Sequence, residues 1–283
     1  MTTRRTRHQF LTIVALIFLI GLSLPSSGLA RQYLSGKKMG KIAAGTLAAA
    51  GFGHWFKRFD STKAIFWNNP TGLELKLQHT LGGEYYVGKS NFLDHKFGAA
   101  VTPIASSMVL AIADLSWPQE DRSKGFFQDQ FLFLTGIVAT KAATDIAKGL
   151  FRRRRPLVAL DVRSETDNAY YYEHNSFFSG HTSAAFFSMA YVNIRLRSIM
   201  RWQMSHDSYN NWKWAPPTVL FSWATVVGWS RVHAYKHYAT DIVAGALLGF
   251  AIAEIFEEFG EMKLLEGPKE EATNYMFRVN FTF

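Results

Sequence analysis

The feature that most restricts this chain is the stretch from Ser230 to Asp241, which reads Ser-Arg-Val-His-Ala-Tyr-Lys-His-Tyr-Ala-Thr-Asp. It lies between two apolar runs, Thr218–Trp229 and Ile242–Ile255. Charged and imidazole side chains wedged between core-forming segments are costly to bury unless they pair with one another or with a ligand. His237 and Asp241 are four positions apart, so on a helix they share a face. A carboxylate so placed accepts a hydrogen bond from one imidazole nitrogen. That fixes the tautomer and leaves the other nitrogen free to attack or to bind. Arg231 adds a forked, permanent positive charge whose geometry suits phosphate. A histidine nucleophile, its orienting acid and an arginine clamp are the parts of a phosphoryl-transfer site.

Two upstream stretches complete the set. One runs from Lys148 to Arg155-Pro156; the other is Ser179-Gly180-His181, just ahead of an apolar helix. Lys148, Arg155 and Arg231 can neutralise the three non-bridging oxygens of a phosphoryl group. At a helix start the backbone N–H groups point outward with partial positive charge. Gly180 lets that backbone approach an anion closely, and the Ser179 hydroxyl can donate a further bond. Lys148 and Arg155-Pro156, then Ser179-Gly180-His181, then Ser230, Arg231, His237 and Asp241, in that order, resemble the signature of the type 2 phosphatidic acid phosphatase superfamily. That superfamily shares its fold and site with vanadium-dependent haloperoxidases. Phe178 stands where the family usually has a proline, which shapes a loop and supplies no ligand.

The resemblance implies an all-α fold, a compact multi-helix bundle of the acid phosphatase/vanadium haloperoxidase type. It implies three catalytic residues: His237 as nucleophile, forming a phosphohistidine that water opens; Asp241 as its orienting acid; and His181 as the general acid for the leaving oxygen. Lys148, Arg155, Ser179, Gly180 and Arg231 would hold the phosphate, and the chemistry needs no metal and no cofactor. Arg152, Arg153 and Arg154 are read as surface charges that attract anionic lipid. His233 lies on the face of His237 by helical spacing and is read as a lining or surface residue. The remaining histidines form no metal-ligand spacing.

Composition narrows the setting. Cysteine is absent from the 283 residues, so neither a disulfide framework nor thiolate chemistry is available. Arg4, Arg5 and Arg7 precede an apolar run from Phe10 to Leu24, followed by Gly28 and Ala30. This is the layout of a secretory signal cleaved after Ala30, with an uncleaved anchor helix as the alternative. The formal net charge is +9 and stays positive without those three arginines. That favours anionic partners: a phosphorylated lipid or small-molecule substrate, and a membrane surface. Nucleic acid is not expected, since the basic residues form no aromatic-interleaved stripe.

Four regions follow: 1–30 as signal or anchor, 31–91 as an N-terminal helix and loops packing on the core, 92–260 as the helical phosphatase domain, and 261–283 as a tail. A short hairpin at Leu73–Val87 is expected, with loops around it. Helices are expected at Lys37–Trp55, Phe92–Leu115 with a bend at Pro103, Phe127–Leu150, Ser183–Arg197, Pro216–Trp229 and from near Tyr238 to Phe259. Arg201–Lys213 reads as a connection, and Asp161–Asn175, with Tyr170–Tyr172, as a loop over the site. Gly245 and Gly249 are spaced for close helix approach. The apolar helices carry Lys141, Asp145, Arg195, Arg197 and Glu254, and none reaches about 20 clean apolar residues. A periplasmic, soluble or peripheral protein is therefore favoured over an integral one. The expected function is an exported phosphatase for phosphomonoesters or pyrophosphates, with lipid phosphates as leading substrates. Two alternatives are a vanadate-dependent haloperoxidase and a non-catalytic envelope protein that binds phospholipid head groups.

Overall fold

The structure is a computed structural model that describes residues 33–58, 70–83, 97–115, 119–160 and 174–259. The signal-like segment, Tyr170–Tyr172 and the terminal tail lie outside these residues. In order, the chain forms α1 (Gly36–Arg58), α2 (Gly72–Leu81), a π-helical turn (Phe97–Val101) and α3 (Thr102–Asp114). Then come α4 (Gln119–Phe151), the single turn α5 (Pro156–Ala159), α6 (Gly180–Gln203), α7 (His206–Trp212), α8 (Ala215–His233) and α9 (Ala239–Phe259). No strand occurs among the described residues, and the all-α expectation holds.

Helix α6 is the axis of the bundle. It packs against α3, α4, α8 and α9, while α1 lies along α4. Every residue from Phe187 to Asn193 is consequently buried, as a helix enclosed on all sides requires. Phe187 anchors the core, with ring centroids 5.7 Å from Phe133, 5.9 Å from Tyr191 and 6.4 Å from Phe256. Contacts of this kind add about 0.5–1.5 kcal/mol each beyond the area they bury.

Two glycines set how α9 meets α6. A Cβ on Gly249 would lie 2.3 Å from the Ser183 carbonyl oxygen, and one on Gly245 would lie 2.9 Å from that of Ser179. Backbone therefore rests on backbone. Both helices begin at the same end of the bundle, which brings the Ser179–His181 and His237–Asp241 stretches side by side.

Three local expectations change. The hairpin at Leu73–Val87 is not found in its described part. Residues 72–81 are helix α2, entered through a capping box in which Thr71 and Glu74 each bond the other's backbone amide. Pro103 sits in the first turn of α3, where its missing N–H costs nothing, so it starts that helix rather than bending one. The Arg201–Lys213 connection contains α7, capped by Ser205.

The preference for a soluble or peripheral protein is also corrected. Large apolar side chains face outward along three helices: Ile104 and Met108 on α3, Val219 and Trp229 on α8, and Val243 and Leu247 on α9, the last 67% exposed. The stretch Ala239–Glu258 is long and apolar enough to cross a membrane, and only 33% of its apolar window is buried. Large apolar side chains turned outward along several helices are an arrangement that a bilayer favours, not water.

Candidate active site

The site is assembled by two sharp chain reversals and one helix start. The first reversal ends α8. Tyr235 takes a left-handed φ of 56°. The Tyr235 amide then bonds the Val232 carbonyl at 3.0 Å and the Lys236 amide bonds that of Arg231 at 3.1 Å. This is a Schellman closure with tyrosine in the position glycine usually takes. It carries His237 out of α8 and into the turn before α9. His237 and Asp241 are therefore not on one helix, as the spacing suggested, and His233 belongs to the last turn of α8. Four-residue spacing survives across the turn, with His237 Nδ1 3.6 Å from Asp241 Oδ2.

The second reversal ends α4, where Arg152 has φ 44°. Residues 152–155 then form no regular element, and burial alternates from Arg153 to Arg155. Arg153 and Arg155 are buried and Arg154 is exposed. Surface placement of Arg153 is thus corrected: it is 0% exposed. Its Nη1 donates to Asp241 Oδ1 at 2.7 Å and to Thr240 Oγ1 at 3.0 Å. Its Nη2 pairs with Glu74 Oε1 at 2.7 Å, and its guanidinium lies 4.2 Å from the centre of the Tyr238 ring. Arg155 donates to the carbonyls of Lys236 at 3.2 Å and Asn175 at 3.4 Å. Pro156 opens α5 at a position where its missing N–H costs nothing.

The helix start is that of α6, with Ser179 as its N-cap. Ser179 Oγ accepts from the Thr182 hydroxyl at 2.9 Å, and the Ser179 amide bonds the Asp241 carbonyl at 3.2 Å. The amides of Gly180 and His181 head the helix, where no intrahelical carbonyl precedes them. Lys148 Nζ, from the last turn of α4, comes to 3.5 Å from where a Cβ on Gly180 would lie. One turn earlier on α4, Asp145 pairs with Lys141, as its spacing predicts, and with Lys57 of α1 at 3.0 Å. His181 is within electrostatic reach of Arg231, His237, Lys148 and Arg155. Gly98, in the π-helical turn, backs onto it: a Cβ there would lie 2.8 Å from His181 Cβ. Ser230 is turned back into α8, donating to the Val227 carbonyl at 2.7 Å.

The protonation of His237 follows from its partner. Nδ1 lies 2.7 Å from the backbone oxygen of Ser176. A carbonyl can only accept, so Nδ1 carries the proton and Nε2 keeps its lone pair. Burial, followed by the positive charges of Arg155, Arg231 and Lys148, holds the imidazole well below its ordinary pKa. It is neutral at neutral pH, with the side chains of Arg155, Arg231 and Lys148 within electrostatic reach. Asp241 is fully engaged: Oδ2 accepts from the Tyr238 amide at 2.9 Å and from the Ser176 hydroxyl, while Oδ1 takes Arg153. Burial alone would raise the Glu74 carboxyl, yet bonds from Arg153, Thr240 and the Thr71 amide hold it below the usual range.

The structure thus brings Lys148, Arg155, Ser179, Gly180, His181, Arg231, His237 and Asp241 to one end of the bundle. It adds Ser176, Arg153 and Glu74, which the sequence reading left out. Arg153 lay hidden in a run of four arginines, and Glu74 in a segment given no role. Ser176 acts partly through a backbone carbonyl, which every residue possesses. Among the described residues no group of three or more His, Asp and Glu is placed to hold a metal ion.

The site thus joins a neutral histidine, a helix start and the basic side chains of Lys148, Arg155 and Arg231 in one all-helical bundle. Residues 130–260, somewhat under half of the chain, match the PAP2 superfamily model. It is 40% identical over 80 residues to "Probable diacylglycerol pyrophosphate phosphatase 1" of Schizosaccharomyces pombe, covering 28% of each chain. It is 29% identical over 147 residues to "Phospholipid phosphatase 2" of Homo sapiens, covering 44% of this chain and 48% of that one. The chain therefore spans less than half the length of these two relatives. A solved chain, described as the first transmembrane PAP2 type phosphatidylglycerolphosphate phosphatase from Bacillus subtilis, aligns over 81% of this chain and 99% of its own. The identity is 15% and the TM-score 0.43.

Proposed function

We propose that this protein is a membrane-embedded phosphatase that hydrolyses lipid phosphates through a phosphohistidine at His237. The observation that carries the reading is the pinned tautomer: Nδ1 is committed to the Ser176 carbonyl, so Nε2 is the nitrogen presented to Lys148, Arg155 and Arg231. The two relatives' names, a diacylglycerol pyrophosphate phosphatase and a phospholipid phosphatase, support a lipid substrate. So do the apolar side chains exposed on α3, α8 and α9, a surface suited to acyl chains. The catalytic unit is 92–260, and the described helices α1 and α2 that precede it pack on it.

In the first step Nε2 attacks phosphorus, the P–N bond forms and the bond to the leaving oxygen breaks. His181, which takes up a proton when the phosphate anion binds and offsets the neighbouring cations, delivers that proton to the leaving oxygen. The imidazole becomes a cation, which the Asp241 carboxylate steadies. In the second step water attacks phosphorus, the P–N bond breaks, and His181 recovers a proton from the water. Lys148, Arg155, Arg231, the Ser179 hydroxyl and the leading amides of α6 hold the equatorial oxygens, where charge is spread in the transition state.

The test is to quench the enzyme during turnover of a labelled phosphatidate. Acid-labile, base-stable phosphate on His237 is expected, and none on His237→Ala, which should release no phosphate. Normal turnover by His237→Ala overturns the reading.

A further inference from the structure

Arg153 and Glu74 have no part in binding phosphate, yet they form the most deeply buried charged group in the site. Arg153 and Asp241 are 0% exposed and Glu74 is 2% exposed. One arginine and one aspartate would already make a neutral pair. A second buried carboxylate is costly unless it does something further. Glu74 ties three elements at one point. Its Oε2 accepts from the Thr71 amide at the start of α2 at 2.7 Å. Its Oε1 meets Arg153 at 2.7 Å and accepts from the Thr240 hydroxyl in the first turn of α9. Helix α2 also grips the turn before His237: Gln78 Nε2 donates to the Val232 carbonyl at 2.8 Å, and the Gly83 amide donates to that of His233 at 3.1 Å. Helix α2 lies outside residues 130–260.

We infer that Glu74 and Arg153 are positioning residues that act through Asp241 on His237. The inference rests on the phosphohistidine reading above. Arg153 fixes Asp241 Oδ1, which leaves Oδ2 aimed at Ser176 and His237. Glu74 takes a share of the guanidinium's charge, so that Asp241 keeps enough negative charge to steady the imidazolium formed when Nε2 attacks. Without Glu74 the whole charge of Arg153 falls on Asp241, and the transition state loses support. Ground-state phosphate binding by Lys148, Arg155 and Arg231 is unaffected. The signature is a fall in kcat with KM unchanged.

Glu74→Gln, Arg153→Lys and the double variant are to be compared with wild type in detergent micelles, measuring phosphate release from phosphatidate and competition by inorganic phosphate. Glu74→Gln should lower kcat about tenfold and Arg153→Lys about 10- to 100-fold, with KM and phosphate inhibition within about threefold of wild type. Because the charge of Glu74 reaches Asp241 chiefly through Arg153, the losses should not multiply, and the double variant should be within about threefold of Arg153→Lys alone. If the lysine variant fails to fold, the Glu74→Gln split between kcat and KM decides. Either single variant within twofold of wild-type kcat overturns the inference. So do losses that multiply in the double variant, or a KM that rises by the same factor as kcat falls. A wild type that releases no phosphate overturns the phosphatase reading and this inference together. An active wild type with an unaffected Glu74→Gln overturns the inference alone.

Discussion

Among the described residues, two buried arginine–aspartate pairs have contrasting surroundings. Arg195 of α6 pairs with Asp129 of α4, their side chains 4% and 1% exposed. Arg153 pairs with Asp241 at the start of α9, both 0% exposed. The first joins two core helices that also meet through Phe133 and Phe187. The second is shared with a further carboxylate from a distant helix and abuts a histidine with a free nitrogen. The same ion-pair chemistry serves cohesion in one place and alignment in the other. What separates them is which polar group comes next, not the strength of the pair.

Mutations should divide along that line. Arg195→Ala leaves Asp129 charged and buried and should cost about 3–5 kcal/mol of stability, while an apolar replacement of both partners should cost far less. In either case the molecules that remain folded should turn over normally, as thermal unfolding beside specific activity would show. Arg231→Ala should do the reverse, slowing hydrolysis by about 10²–10³-fold with little change in melting, since one preorganised donor is worth about 3–4 kcal/mol in the transition state. A rate within a few-fold of wild type would make Arg231 peripheral. Gly249→Ala forces a Cβ onto the Ser183 carbonyl. It should cost about 1–3 kcal/mol through overpacking and also lower activity, because α9 carries Asp241.

The smallest effect expected is on pH dependence. His237 is neutral when folded and titrates at its ordinary value, 6.5, only when unfolded. Below that pH the unfolded chain binds the extra proton, so stability is complete above about 6.5 and declines as the solution becomes more acid. Between pH 7 and 6 the loss should be under about 1 kcal/mol and absent in His237→Asn. Equal slopes in the two proteins would mean that His237 is not held neutral.

The soluble expectation failed for a reason visible in the same contrast. Mean hydropathy is −0.03, which reads as a water-soluble chain. Averages count polar residues wherever they lie, and here many lie inside: Arg153, Asp241, Arg195, Asp129, Ser183 and Asn193 are all buried. The lipid-like face is carried by fewer residues, such as Leu247, Val243 and Met108, whose outward direction only packing reveals. Arg153 was misread likewise, because four consecutive arginines look alike until the backbone turn at Arg152 sends two of them inward and one out.

By itself the sequence determined the helical class and singled out Lys148, Arg155, Ser179, Gly180, His181, Arg231, His237 and Asp241 as candidates, because each stands in a short motif whose spacing is local. Tertiary structure alone decided that Ser176 pins the imidazole and that the outer surface is apolar. It also decided that Glu74 reaches Thr240 across 166 residues of chain. Contacts of that kind depend on how helices cross, and crossing is set by complementary surfaces such as Gly245 and Gly249 against α6, which no short stretch of sequence contains.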